Sequence, residues 1–331
     1  MSYPLRRATC SYAYRIAGVV IETPQPLPSL VPTDSPADLV IGWGVSPTVP
    51  GRLLRSVEYE GSVWMRIEAV DGGTSYFFPG LGSFVVEPDT RRVTCSPDAG
   101  VQSNTMWHLL LDQVLPLYLV SQGEFVLHAS SVATGDELNG RAILFLGESG
   151  TGKSSTAIGC ALVGATLLGD DFALISLDVD PPTVAPANVG VRLWEEIAAA
   201  VYPDDPGAPV AEFTSKVRIF PSAARSRAVT DPQPIGALVF LGPRLPAATE
   251  PLLETISSAE AFMHLLEGSY RVTVSDPEDR LRAMDQAARL VNSVPSVRLR
   301  MPENVNDLSS SCERVLELVQ DVGQPALSPA R

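Results

Sequence analysis

Residues 147–154 read Gly-Glu-Ser-Gly-Thr-Gly-Lys-Ser, a glycine-rich turn that runs straight into a lysine and a hydroxyl. The apolar run 142–146 leads in, and residues 152–163 lead out with helical character, so the local order is buried strand, turn, helix. Glycines at 147, 150 and 152 let the backbone curl with its N–H groups inward. Those donors, together with a helix N-terminus, make a ready site for phosphate oxygens. The octet matches GxxxxGK[ST] in full. Residues Gly147, Glu148, Ser149, Gly150, Thr151, Gly152, Lys153, Ser154 and Ser155 are therefore expected to bind ATP. Lys153 is expected on the β- and γ-phosphates and Ser154 on Mg²⁺. Glu148 and Ser149 shape the turn, since a carboxylate beside phosphates is unfavourable unless a cation pairs with it.

After that helix and a β-favouring stretch, 166–168, comes Gly169-Asp170-Asp171. Mg²⁺ takes hard oxygen ligands, and one carboxylate near Ser154 would serve it. In an extended segment neighbouring side chains point to opposite sides, so one aspartate can face the metal while the other reaches a reacting hydroxyl; at a turn both could converge. One of the pair is thus a candidate base and the other, with Ser154, a candidate metal ligand. Composition adds a further candidate. Of 24 basic residues only two are lysines, Lys153 and Lys216. Arginine does not replace a compact ammonium. Residues 213–220 read as a strand in which Lys216 and Arg218 share one face, so both are candidates to neutralise charge on a transferred phosphoryl group.

The rest of the chain organises around this. Residues 1–100 hold short runs rich in Val, Ile, Tyr and Phe (12–23, 38–44, 57–69, 75–78, 83–87, 91–95), separated by turn residues, and form a mainly-β N-terminal domain. Residues 24–36 and 46–51 are Pro/Ser-rich loops. A linking helix is expected over 101–124, where Met106, Leu109, Leu110, Val114, Leu117 and Val120 recur at helical spacing and His108 is an ordinary helix residue. Residues 125–322 read as α/β: strand 125–133, turn 135–140, strands 166–168 and 172–177, helix 193–201, strand 235–241, helices 259–267 and 279–291, strand 296–300 and a closing helix 309–321. Residues 323–331 read as a frayed tail.

The pair of segments 147–155 and 167–171 (Leu-Leu-Gly-Asp-Asp), one short helix apart, resembles the HPr kinase/phosphorylase family, whose nucleotide core is similar to that of phosphoenolpyruvate carboxykinases. Leu127-His128-Ala129-Ser130-Ser131-Val132, Arg192-Leu193-Trp194, Lys216-Val217-Arg218 and Tyr14-Arg15-Ile16 resemble more closely the HPr-kinase-related kinases of peptide natural-product pathways, lasso-peptide clusters among them. The resemblance implies an HPr kinase/PEP carboxykinase-like P-loop core and phosphoryl transfer from ATP to a hydroxyl, typically serine, of a peptide, protein or small-molecule acceptor. One aspartate of the pair would be the base and the other would serve Mg²⁺; carried to this chain, Asp170 is taken as the base and Asp171, with Ser154, as the metal ligand. It also implies a site role for His128, and it admits a homo-oligomer, because HPr kinases assemble as hexamers. The Gly- and Arg-containing region that docks HPr after the paired carboxylates is missing here, so the resemblance does not extend to HPr as acceptor or to the phosphorylase reaction.

Other classes are disfavoured by charge and pattern. A net charge of −14 opposes sequence-independent nucleic-acid binding and docking on anionic membranes. No window of 18 apolar residues exists, and Arg6 and Arg7 precede no apolar run of signal-peptide type, so a cytoplasmic protein is expected. The four cysteines (10, 95, 160, 312) and three histidines form no metal-ligand spacing. Two readings compete with a kinase: a nucleotide-hydrolysing regulatory switch, and a catalytically degenerate nucleotide-binding scaffold.

Overall fold

The computed structural model describes residues 11–27, 30–45, 51–135, 140–187, 190–220, 229–273, 276–303, 307–320 and 322. Cys10, the tail 323–331 and parts of the loops 24–36 and 46–51 and of the turn 135–140 lie outside the described residues. The architecture is mixed α/β, with two nine-stranded sheets and one three-stranded sheet.

The first sheet holds β1 (Tyr12–Ile16), β2 (Val19–Thr23), β3 (Val31–Pro32), β4 (Leu39–Trp43), β5 (Arg52–Tyr59), β6 (Ser62–Val70), β7 (Gly73–Phe78), β8 (Gly82–Glu87) and β9 (Arg92–Pro97). Their order is β3-β1-β2-β4-β9-β8-β7-β6-β5, which leaves β5 at an edge. The expected runs 12–23 and 57–69 each prove to contain a turn. Ala17-Gly18 and Glu60-Gly61 both take positive φ, the geometry that suits two-residue hairpins. Buried residues of the sheet, Ile16, Ile67, Phe78 and Phe84 among them, form a core with the helical segment that follows.

That segment is expected as one amphipathic helix. It is wound as α1 (Ser103–Leu109), a π-helical turn (Leu110–Val114) and α2 (Leu115–Ser121). Pro116 has no N–H to donate to the Asp112 carbonyl, a cause for widening the turn before it. Nearly every residue from Thr105 to Leu119 is buried, so the segment belongs to the core and does not act as a tether.

The second sheet carries β10 (Phe125–Leu127), β11 (Ala129–Thr134), β12 (Arg141–Leu146), β13 (Thr166–Gly169), β14 (Ala173–Ser176), β15 (Thr183–Ala185), β19 (Gln233–Leu241), β20 (Leu252–Thr255) and β21 (Ser296–Arg300). The path runs β10-β14-β15-β19-β12-β11-β13, and β21 pairs with both β19 and β20. The expected strand 125–133 is broken at His128: β10 pairs with β14, whereas β11 pairs with β12 and β13. The third sheet, β16 (Val191–Trp194), β18 (Lys216–Ile219) and β17 (Ala208–Pro209), has the order β16-β18-β17. Helices α3 (Lys153–Leu162), α4 (Glu195–Val201), α5 (Ser258–Gly268), α6 (Pro277–Ser293) and α7 (Leu308–Gln320) complete the fold. The expected helix 193–201 starts at Glu195, because Leu193 and Trp194 are taken by pairing with Val217 and Lys216. Among the described residues no helix is long and apolar enough to cross a membrane. Cys95, Cys160 and Cys312 are buried free thiols.

Candidate functional site

β12 lies between β19 and β11, and its residues Ala142–Leu146 are buried. A strand so enclosed fixes where the next residues emerge. Gly147, Gly150 and Gly152 take φ of +142°, +84° and +101°, and α3 starts directly at Lys153. Gly152 cannot be replaced cheaply, since its φ of +101° strains any L side chain; Arg244 Nη2, packed against it, donates to the Thr151 carbonyl at 3.0 Å. Lys153 folds back over the loop. Its Nζ donates to the carbonyls of Gly147 (2.8 Å) and Glu148 (3.0 Å), and only 6% of the residue is exposed. Burial, together with Lys216 and Arg192, pushes this ammonium down to about 8 against the opposing pull of Asp170.

The two aspartates follow β13 but sit in different surroundings. Asp170 is 1% exposed. One of its oxygens accepts from Ser130 Oγ at 2.5 Å, the other from the backbone N–H of Arg192 at 2.9 Å. Asp171 takes φ +73°, so the pair is not extended and simple alternation does not apply. Its carboxylate pairs with the Arg192 guanidinium and lies 3.9 Å from His128 Nε2, while its carbonyl accepts from Tyr270 Oη at 3.3 Å. His128 occupies the break between β10 and β11, where its backbone N–H donates to Gly268. Burial, then Lys153, Arg192 and Lys216, push its imidazole down to about 3, so the ring is neutral at pH 7.

Lys216 and Arg218 share a face of β18, as expected, but they reach different places. Lys216 Nζ lies 4.9 Å from the Trp194 ring centroid, and the residue lines the cavity described below. Burial, and secondarily Arg192, lower its pKa against Asp170. Arg218 pairs instead with Asp112 on the π-helical turn and does not line the cavity. Asp112 is fully buried; its Oδ2 also receives His108 Nδ1 at 2.7 Å and stands 3.6 Å from Arg192 Nη1. Burial acts to raise this carboxyl, and Arg218, Arg192 and His108 outweigh it, holding the group well below the usual carboxylate range. Arg192 therefore spans two carboxylates, Asp112 and Asp171.

These groups meet at a cavity of about 480 Å³. Ser149, Gly150, Gly152, Lys153, Ser154 and Ser155 line it from the glycine-rich loop; Gly147, Glu148 and Thr151 do not. His128, Asp171, Arg192 and Lys216 line it as well, whereas Asp170 lies behind. Six cationic side chains (Arg55, Lys153, Arg192, Lys216, Arg244, Arg271) face two carboxylates, Asp171 and Glu267. In a chain of net charge −14 this concentrates positive potential where an anion would enter. Among the described residues no group of three or more His, Cys, Asp and Glu could hold a metal by itself. Ser130, Arg192, Arg244, Tyr270 and Asp112, with Arg55, Glu267 and Arg271, are among the members that motif reading did not assign a role. Asp112 left one signal, as a charge that interrupts the apolar run 109–120.

No protein-family model matches the chain, and no curated protein matches it. Among solved structures it is similar to the Hpr(Ser) kinase/phosphatase from Coxiella burnetii. The identity is 14%, the match covers 59% of this chain and 97% of that one, and the TM-score is 0.32. That likeness is distant and partial.

Proposed function

We propose that the chain is a kinase that transfers the γ-phosphoryl group of ATP to a hydroxyl of a peptide, protein or small-molecule acceptor, serine being the expected group. The observation that carries this reading is the glycine-rich loop opening, with Lys153, onto a cationic cavity in which Asp171 stands. The donor set suits a polyphosphate. Lys153, Lys216 and Arg244 make no ion pair with a carboxylate among the described residues, and the buried Arg192 Nε has no hydrogen-bond partner. Ser149, Gly150, Gly152, Lys153, Ser154 and Ser155, which line the cavity, would hold the phosphates. Ser154 would hold Mg²⁺, for which a cluster of three protein carboxylates is not required. Bound there, the metal would supply charge neutralisation to the phosphates.

Geometry favours a revised division of labour between the aspartates. A general base must reach the proton it takes. Asp171 lines the cavity, while both oxygens of Asp170 are engaged by protein donors. Asp171 is therefore proposed to take the acceptor proton, held in place by Arg192. Asp170 is proposed to anchor the turn and offset the charge of Lys153. His128, neutral and beside Asp171, can donate its one N–H to the acceptor oxygen. Lys153 and Lys216 neutralise charge on the transferred group. The neighbouring Arg218 is proposed to act through Asp112 and not on the phosphoryl group itself.

Calorimetric titration with MgATP, followed by incubation with γ-labelled ATP and a hydroxyl-peptide library read by mass spectrometry, tests the proposal. ATP binding and a phosphorylated hydroxyl are expected, both lost in Lys153→Ala. A folded Lys153→Ala protein that binds ATP as tightly as the parent would refute it.

A further inference from the structure

Two arginines of the cavity belong to neither the glycine-rich loop nor its immediate cations. Arg55 comes from β5, the edge strand of the first sheet, and Arg271 follows α5, 216 positions later in the chain. Arg55 Nη1 donates to the backbone carbonyl of Arg271. Arg271 in turn donates through Nη2 to the Leu266 carbonyl and through Nε to Ser269 Oγ. Both guanidiniums are thus held by neutral acceptors, and neither makes an ion pair among the described residues. The one other carboxylate that lines the cavity, Glu267, is directed to His264 at 3.3 Å. Burial and the proximity of Arg271 lower the Arg55 pKa, the mark of like charges brought together. Both arginines line the cavity, Arg55 from β5 and Arg271 from the segment after α5.

Two half-buried guanidiniums that line one cavity without a carboxylate partner are favoured when an anion enters between them. The planar fork of arginine matches the paired oxygens of carboxylates and phosphates. We propose that Arg55 and Arg271 form an anion subsite for the acceptor, which therefore carries a carboxylate or phosphate group beside its hydroxyl. The word acceptor rests on the kinase reading; the subsite itself does not. Because Arg55 is delivered by the first sheet, the mainly-β part of the chain contributes directly to acceptor recognition.

The full-length protein is first saturated with Mg²⁺ and a non-hydrolysable ATP analogue, which occupies the glycine-rich loop. Inorganic phosphate and, separately, succinate are then titrated by calorimetry into the parent, Arg55→Gln, Arg271→Gln and Arg55→Lys. At least one anion should bind the loaded parent, and binding should weaken about tenfold or more in each Gln variant, as expected for loss of a charge-assisted hydrogen bond. Arg55→Lys should fall between, since it keeps the charge and loses the fork. Phosphate binding alone identifies a phosphomonoester acceptor, succinate binding alone a carboxylate acceptor, and binding of both the shared oxyanion chemistry. Failure of both anions to bind the loaded parent, or unchanged affinity in Arg55→Gln, overturns the subsite. If the analogue itself does not bind, the kinase reading falls, and the same titrations on the unloaded proteins still decide the arginine pair.

Discussion

Asp112→Asn should destabilise the protein far more than a neutralising isostere normally does. The carboxylate is fully buried and counters two guanidiniums, Arg192 and Arg218, with His108 as a third partner. The amide keeps the shape and one acceptor oxygen but removes the charge. Taking away one member of a buried ion pair typically costs about 3–5 kcal/mol, because the remaining charge stays desolvated. A melting-temperature shift of roughly 2–4 °C per kcal/mol for a 150–250-residue domain converts this to about 6–20 °C. Differential scanning calorimetry at pH 7 reads it directly. The pH dependence gives a second signature. Asp112 has its pKa depressed in the fold, so its contribution is complete above the unfolded value of about 4 and is lost as pH falls below it. His108 and His128 are also depressed, so acid loss in the parent begins earlier, as pH drops through about 6.5 where the unfolded imidazoles take up protons first. Asp112→Asn should keep the upper phase and lose the lower one. A melting temperature within about 1 °C of the parent, with both acid phases intact, would show that Asp112 is not the counter-charge of the arginines.

Three further outcomes follow from the site. Asp171→Asn should leave ATP affinity near that of the parent and cut phosphoryl transfer by roughly two to four orders of magnitude; Asp170→Asn should lower the melting temperature as well, because it sits between Ser130 and the Arg192 N–H, and the opposite pattern would restore Asp170 as the base. Lys216→Ala should lower turnover by about a hundredfold while ATP affinity changes less, and Lys216→Arg should recover little, since a planar fork does not replace a compact ammonium; near-parental steady-state kinetics for Lys216→Ala would make it a bystander. With Lys153 pushed down to about 8 in the free protein, kcat/KM for ATP should fall as pH rises through that value and the ammonium is lost, and Lys153→Arg should flatten that limb.

Some of this was legible in the sequence for plain physical reasons. The glycine spacing, the apolar run before it and the lysine after it are local, and the structure realises them as β12, a loop of positive-φ glycines and α3. The aspartates after β13 and Lys216 on β18 were legible too, one from adjacency, the other from rarity. What escaped was whatever depends on pairing across distance. Ala17-Gly18 and Glu60-Gly61 make tight turns without the Asn-Gly or Asp-Gly signal. The break at His128 arises because β10 and β11 pair with different strands. Period two placed Lys216 and Arg218 on one face, and that held, but only the tertiary position of Asp112 separates their destinations. For Asp170 and Asp171 the sequence leaves an extended pair and a turn both open, because nothing local announces that Asp171 adopts φ +73°.

The unusual backbone of Asp171 has a cause on each side. A non-glycine residue in the left-handed region is uncommon and costs about 1–3 kcal/mol, so it persists only where its neighbours over-determine it. On the N-terminal side, Asp170 is fixed by Ser130 of β11 and by the Arg192 N–H of β16. On the C-terminal side, Phe172 is fully buried in the core shared by the first sheet and the segment Ser103–Ser121. The Asp171 carbonyl is held by Tyr270, and its carboxylate by Arg192, whose other contact is Asp112 on the π-helical turn. The restraints on Asp171 thus come from Arg192 of β16, from Tyr270 and from the core that Phe172 enters, and Arg192 ties them to Asp112 on the π-helical turn. The first sheet itself supplies Arg55 to the cavity. A mainly-β sheet with no chemistry of its own in its sequence therefore shares its core with Phe172, the residue after the proposed base, and supplies half of the proposed acceptor subsite.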